Sequence, residues 1–145
     1  MPSAYVVSNA LAPLAPLTAI TNSGFYDDAT QRPLLVDGRM DKQVVFTVDS
    51  EAIVGVDFGT AITLTGWALL NHNLANLGAG TVTISAANDS GFTSGVVVAK
   101  ATTTLNFTPP RHRDHVLQFA AVSRRYWSLE FQHGSSFQMR LGELF

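Results

Sequence analysis

The sequence predicts an all-β fold: an antiparallel β-sandwich of the jelly-roll kind, with about eight strands and an extended N-terminal arm. Three observations predict it. Beyond residue 34, apolar side chains alternate with polar ones at a period of two, which places one set on each face of a strand. Clusters of Gly, Pro, Asn and Asp break these runs at short intervals, as chain reversals require. Only one stretch, at Leu70, Leu74 and Leu77, carries a helical spacing.

The first segment to stand out is Ala10-Leu-Ala-Pro-Leu-Ala-Pro-Leu17. Each proline fixes its own φ and pushes the preceding residue to extended geometry, so Leu11, Pro13, Leu14, Pro16 and Leu17 read as an arm rather than a helix. Thr21 to Pro33 is a polar loop carrying Phe25 and Tyr26. Residues 1–33 are thus arm and loop, and residues 34–145 form one sandwich domain, a size that suits a single core. Asp37-Gly38-Arg39 is a turn signal. Val44, Phe46 and Val48 then face one way, followed by Ala52, Val54, Val56 and Phe58 against Ile53, Gly55 and Asp57. Ile62 to Asn71 is apolar at both parities, the pattern of a central strand buried on both sides. A short helical turn over Leu70 to Leu77 competes there with Asn71, His72, Asn73 and Asn76, all poor helix formers. Thr81 to Ala87 turns Val82, Ile84 and Ala86 inward, and Asn88-Asp89-Ser90-Gly91 is a turn. Val96 to Phe107 gives one long or two short strands, and Thr108 to Asp114 is a proline-led loop. Val116 to Ala121 and a strand with Trp127, Leu129 and Phe131 inward follow, then a last strand with Phe137, Met139 and Leu141 inward.

Composition excludes several classes. With no Cys there is neither a disulfide framework nor a thiolate zinc site. A net charge of −2 provides no basic field for nucleic acid. No run reaches the roughly 18 apolar residues of a membrane helix. Met1 to Ile20 has no basic n-region and is interrupted by Pro13 and Pro16, so it does not read as a signal peptide. The G-x-S-x-G elbow, the phosphate-cradling loop and the dinucleotide fingerprint are all missing, and no pair of carboxylates stands out. The expectation is a non-enzyme with no cofactor. Only 14% of residues are charged against 46% hydrophobic, which implies that partner subunits cover part of the surface and that the arm docks on a neighbouring copy, giving a homo-oligomer.

A few residues stand out as candidates for contact. Arg111, His112 and Arg113, with His115 close behind, make a locally basic patch suited to a carboxylate or phosphate, because Arg presents a planar fork of donors. In a helix the spacing of His112 and His115 would suit a metal. In a proline-led loop no metal is expected. His72 and Asn73 either satisfy backbone groups where the chain leaves the sheet or line a ligand-facing loop. Phe25 and Tyr26 lack a strand pattern to bury them, so they either fold back on the domain or contact a protein partner or the face of a sugar ring.

Three segments together resemble a discoidin-type, galactose-binding-like domain: Ile53-Val-Gly-Val-Asp-Phe-Gly59, Ile62-Thr-Leu-Thr-Gly-Trp-Ala-Leu-Leu-Asn-His-Asn-Leu74 and Thr81-Val-Thr-Ile-Ser-Ala-Ala-Asn-Asp-Ser90. Arg125-Tyr-Trp-Ser-Leu-Glu-Phe131 and Met139-Arg-Leu-Gly-Glu-Leu-Phe145 resemble its closing strands. The Asn-His-Asn-Leu version resembles structural proteins of tailed bacteriophages. That resemblance implies a virion tail or head accessory protein, acting through contacts with other virion proteins and with itself. The alternative on the same fold is a carbohydrate-binding module that takes a cell-surface glycan through loops at one end of the sandwich. The chain lacks an acidic cluster like the calcium site of some relatives, so no calcium is expected.

Overall fold

The computed structural model describes residues 43–46, 51–73, 80–105, 115–132 and 139–144. The arm residues Leu11, Pro13, Leu14, Pro16 and Leu17, the loop aromatics Phe25 and Tyr26, and the patch Arg111, His112 and Arg113 lie outside them. So do the boundary at residues 33 and 34, the turn at residues 37–39, and Val48, Leu74, Leu77 and Phe137. Seven antiparallel strands are described: β1 (Val44–Phe46), β2 (Glu51–Leu70), β3 (Thr81–Ala87), β4 (Val97–Thr104), β5 (His115–Gln132), β6 (Met139–Leu141) and β7 (Glu143–Leu144). One sheet has the order β4-β3-β5-β2-β7, and β1 pairs with β6 in a second.

The two longest strands make the sandwich. β2 and β5 pair from Glu51↔Gln132 to Leu69↔His115. Between Asp57↔Tyr126 and Ile62↔Arg124, residues 58–61 of β2 lie opposite the single residue Arg125 of β5. Unequal lengths across a ladder force a bend, and Gly59 supplies the positive φ of 73° the bend requires, with nothing within 4 Å of its missing Cβ. Beyond the bend, Trp67 of β2 meets Trp127 of β5 edge-on with ring centroids 6.2 Å apart, although neither is the other's strand partner. The ribbon therefore turns its two halves face to face. The half that holds Ala52 to Asp57 continues into β3 and β4, and the half that holds Ile62 to Leu70 pairs with β7.

The expected inward sets are the core. Val54, Val56, Val82, Ile84, Ala86, Trp127, Leu129 and Phe131 are buried in one cluster with Trp67, Leu69, Leu105 and Leu141. Three expectations need correction. The strands expected at Ala52–Phe58 and Ile62–Asn71 are one, because Phe58-Gly-Thr-Ala61 bends the chain instead of reversing it. The stretches Val116–Ala121 and Tyr126–Phe131 are likewise one strand of 18 residues. Finally, Ile62 to Asn71 is not buried on both sides throughout: Thr63 and Thr65 are exposed, and only Trp67, Ala68 and Leu69 are buried consecutively. Of the stretch Val96 to Phe107, the described residues hold one strand, β4, an outer strand of its sheet.

Candidate functional site

Two ends of the sandwich concentrate polar side chains. At the first, the chain leaves β2. Asn71 adopts a positive φ of 51° and its carbonyl accepts from Gln43 Nε2 at 2.7 Å. Gly142, between β6 and β7, donates its N–H to the Leu70 carbonyl at 3.0 Å. A Cβ on Gly142 would lie 2.9 Å from Asn71 Cβ and 3.0 Å from Leu70 O, so only glycine permits this approach. Asn73 then extends the contact to β6. Its N–H donates to Arg140 O at 3.2 Å, and its Oδ1 accepts from Arg140 N at 2.7 Å. His72 is fully buried, and its Nε2 lies 2.8 Å from Nδ1 of His115, the first residue of β5. Of the sequence-predicted contact residues, His72 and Asn73 are the two described. The segment that carries Arg111, His112 and Arg113 runs directly into His115. The connections 74–79, 106–114 and 133–138 all join strand ends opposite the β2 bend.

The bend itself is the second polar end, and no pattern in the sequence marks it as one. Arg125, the residue opposite the bulged segment, donates Nε and Nη2 to the two carboxylate oxygens of Asp57 at 2.7 and 2.9 Å. Its guanidinium sits 4.7 Å from the Tyr126 ring centroid. Asp57 Oδ1 also accepts from Gly59 N at 2.7 Å. The Arg125 hydrogen bond, opposed by partial burial, holds the Asp57 pKa below the ordinary value. Arg124 turns the other way and donates from Nε to Gly95 O at 2.8 Å, tying β5 to the loop between β3 and β4. That loop is organised by Asp89, whose carboxylate accepts from the backbone N–H groups of Gly91, Thr93 and Ser94 and from the Thr93 hydroxyl. Desolvation pushes the Asp89 pKa up, but the bonds from Ser94, Thr93 and Gly91 outweigh it and leave the pKa lowered. Both carboxylates act here as hydrogen-bond acceptors. The arrangement braces a bend and a turn. Among the described residues no group of three or more His, Cys, Asp or Glu side chains converges.

The architecture is that of the discoidin-like, galactose-binding-like β-sandwiches. No protein-family profile matches the sequence, and no curated protein matches it. Solved structures do. Chitosan-binding module 1 of a chitosanase/glucanase from Paenibacillus sp. IK-5 superposes with a TM-score of 0.59 at 22% identity, over 89% of each chain. A pectin-binding carbohydrate-binding module superposes with a TM-score of 0.63 at 14% identity, over 92% of this chain and 90% of that one. The CBM32 of AlyQ, in complex with 4,5-unsaturated mannuronic acid, gives 0.59 at 15% identity, over 90% and 92%. At these identities the likeness is one of fold.

These neighbours overturn the bacteriophage reading. All are carbohydrate-binding modules, and none supports a virion tail or head accessory role, virion partners or a homo-oligomer. The physical reason lies in the motif that carried the reading. Asn71 and Asn73 tie the end of β2 to Gln43 and Arg140, a role tied to how this sandwich closes. The described part of the motif, Asn71 to Asn73, thus takes part in closing this sandwich.

Proposed function

We propose that the chain is a carbohydrate-binding module without catalytic activity of its own, taking a polysaccharide through the segments that leave the sheets opposite the β2 bend. The observation that carries this reading is the shared architecture with modules described as chitosan-binding, pectin-binding or bound to an unsaturated mannuronic acid, across about nine-tenths of both chains. Fold alone does not fix function, so the loops must supply the recognition. The connection between β4 and β5 carries His112 between Arg111 and Arg113, and the planar guanidinium forks of the two arginines suit the carboxylate of a uronic acid better than the amine of a glucosamine.

The test is native affinity electrophoresis and calorimetry of the full chain against pectin, alginate, chitosan and a neutral glucan. Retardation by at least one of them is expected, with the uronate polymers ahead of chitosan. Arg111→Ala combined with Arg113→Ala should abolish it. Failure to bind any polymer would end the reading. Release of reducing ends from a bound polymer, lost on changing one Asp or Glu, would end its non-catalytic half.

A further inference from the structure

Three consecutive residues beyond β2 each bond to a different part of the chain. The Asn71 carbonyl accepts from Nε2 of Gln43, the residue before β1, at 2.7 Å. His72, fully buried, shares a 2.8 Å hydrogen bond with His115, the first residue of β5. Asn73 meets Arg140 of β6 twice: its N–H donates to the Arg140 carbonyl at 3.2 Å, and its Oδ1 accepts from the Arg140 N–H at 2.7 Å. In an antiparallel ladder two facing residues exchange both backbone bonds. Here the Asn73 side-chain oxygen stands where the Asn73 carbonyl would accept, so the rung closes although Asn73 lies beyond the end of β2. The connections invoked for glycan binding adjoin these residues in sequence: 74–79 begins after Asn73, 106–114 ends before His115, and 133–138 ends just before β6.

We propose that Asn73 is a positioning residue of the glycan site, fixing where 74–79 leaves the sandwich relative to 133–138 and raising affinity without touching the ligand. The proposal rests on the glycan reading for its ligand, and on the closed rung for its residue. Binding costs less when the segments that receive a ligand are already held in place. Asn73→Ala leaves the backbone bond to Arg140 O, but the Arg140 N–H loses its Oδ1 acceptor, so one bond holds the rung instead of two. Asn73→Asp keeps an oxygen acceptor at that position. The two substitutions therefore separate positioning from contact. If Asn73 touched a uronic acid, Asn73→Asp would set carboxylate against carboxylate and bind worse than Asn73→Ala. A positioning Asn73 gives the opposite order.

The experiment uses the full chain and measures calorimetric affinity for the uronate oligomer, from pectin or alginate, that the unaltered chain binds more tightly. Asn73→Ala should bind about 2–12-fold more weakly, the worth of one hydrogen bond, with an unchanged far-ultraviolet circular dichroism spectrum. Asn73→Asp should bind as the unaltered chain does. Coupling is reciprocal, so a bond that favours the ligand is itself favoured by it. In the unaltered chain, saturation with the oligomer should therefore slow amide exchange at Arg140, a readout that holds even if Asn73→Ala fails to fold. Undiminished affinity in folded Asn73→Ala overturns the proposal. So does an Asn73→Asp variant weaker than Asn73→Ala, or Arg140 exchange indifferent to the ligand. A glycan reading that is itself wrong shows earlier and differently, because the unaltered chain then binds no polymer at all.

Discussion

The two buried tryptophans differ in one atom's surroundings, and that difference has a measurable size. Trp67 and Trp127 are 1% and 0% exposed and meet edge-on, so each fills the same core between the folded halves of the β2–β5 ribbon. Trp127 Nε1 donates to Arg124 O at 3.1 Å, which fastens the ring to the bend. Trp67 Nε1 is buried and has no partner among the described residues. Replacing either ring with Phe removes a similar amount of apolar contact. Trp127→Phe also loses a hydrogen bond, a net contribution of about 0.5–1.5 kcal/mol. Trp67→Phe instead removes an unsatisfied buried donor, whose burial costs about 1–3 kcal/mol. Adding the two, Trp127→Phe should be more destabilising than Trp67→Phe by about 1.5–4.5 kcal/mol. Urea-unfolding midpoints at constant m-value give the comparison directly. Trp127→Ala, which empties the ring's site altogether, should cost about 3–5 kcal/mol. Equal losses for the two Phe variants would refute the assignment of the indole N–H groups, and a loss below about 1 kcal/mol for Trp127→Ala would refute its place in the core.

Two further outcomes test the polar ends. Gly142→Ala brings a methyl group against Leu70 O and Asn71 Cβ, and backbone cannot swing aside, so a loss of about 1–3 kcal/mol is expected in the same melts; a neutral change would mean that the two segments are further apart. Asp57 has a lowered folded pKa, so the stability from its bonds to Arg125 is present above the unfolded pKa and disappears as pH falls through the folded one. The unfolding temperature of Asp57→Asn should therefore lie below that of the unaltered chain at neutral pH and converge with it in strong acid, and a constant gap across that range would count against the ion pair.

The period-two pattern was enough to assign the core, because burial is decided by alternation within each strand. Val82, Ile84 and Ala86, and Trp127, Leu129 and Phe131, fall inside as their spacing requires. Where strands end was less legible. Phe58-Gly-Thr-Ala61 has the composition of a turn, and whether such a segment reverses the chain or bends it depends on the partner strand, here Arg125 alone against residues 58–61. The same limit hid the histidine pair. His72 and His115 are 43 positions apart and meet because β2 and β5 run antiparallel in a register that ends at Leu69↔His115. Alternation says which face a residue occupies, and only the pairing says what it faces. The Asp57–Arg125 bond, across 68 positions, was hidden for the same reason.

The distribution of bonding between the two ends separates what fixes the fold from what is free to recognise a ligand. At the bend, Asp57, Asp89 and Arg124 bond to neighbouring backbone and to Arg125: within β2, within the loop between β3 and β4, between β5 and that loop, and between β5 and β2. A ligand that engaged those groups would have to break bonds that shape the sandwich. At the opposite end, the bonds of Asn71, Asn73 and Gly142 join strand ends and stop there, and the connections begin beyond them. The described ladder bonds and the core cluster are made by residues outside those connections. Recognition can therefore vary at that end at little cost to stability, which is the usual division between a rigid scaffold and the loops it positions. That asymmetry is why the proposed glycan site is sought in the connections opposite the bend, one of which contains Arg111, His112 and Arg113 in sequence, and not at the bend.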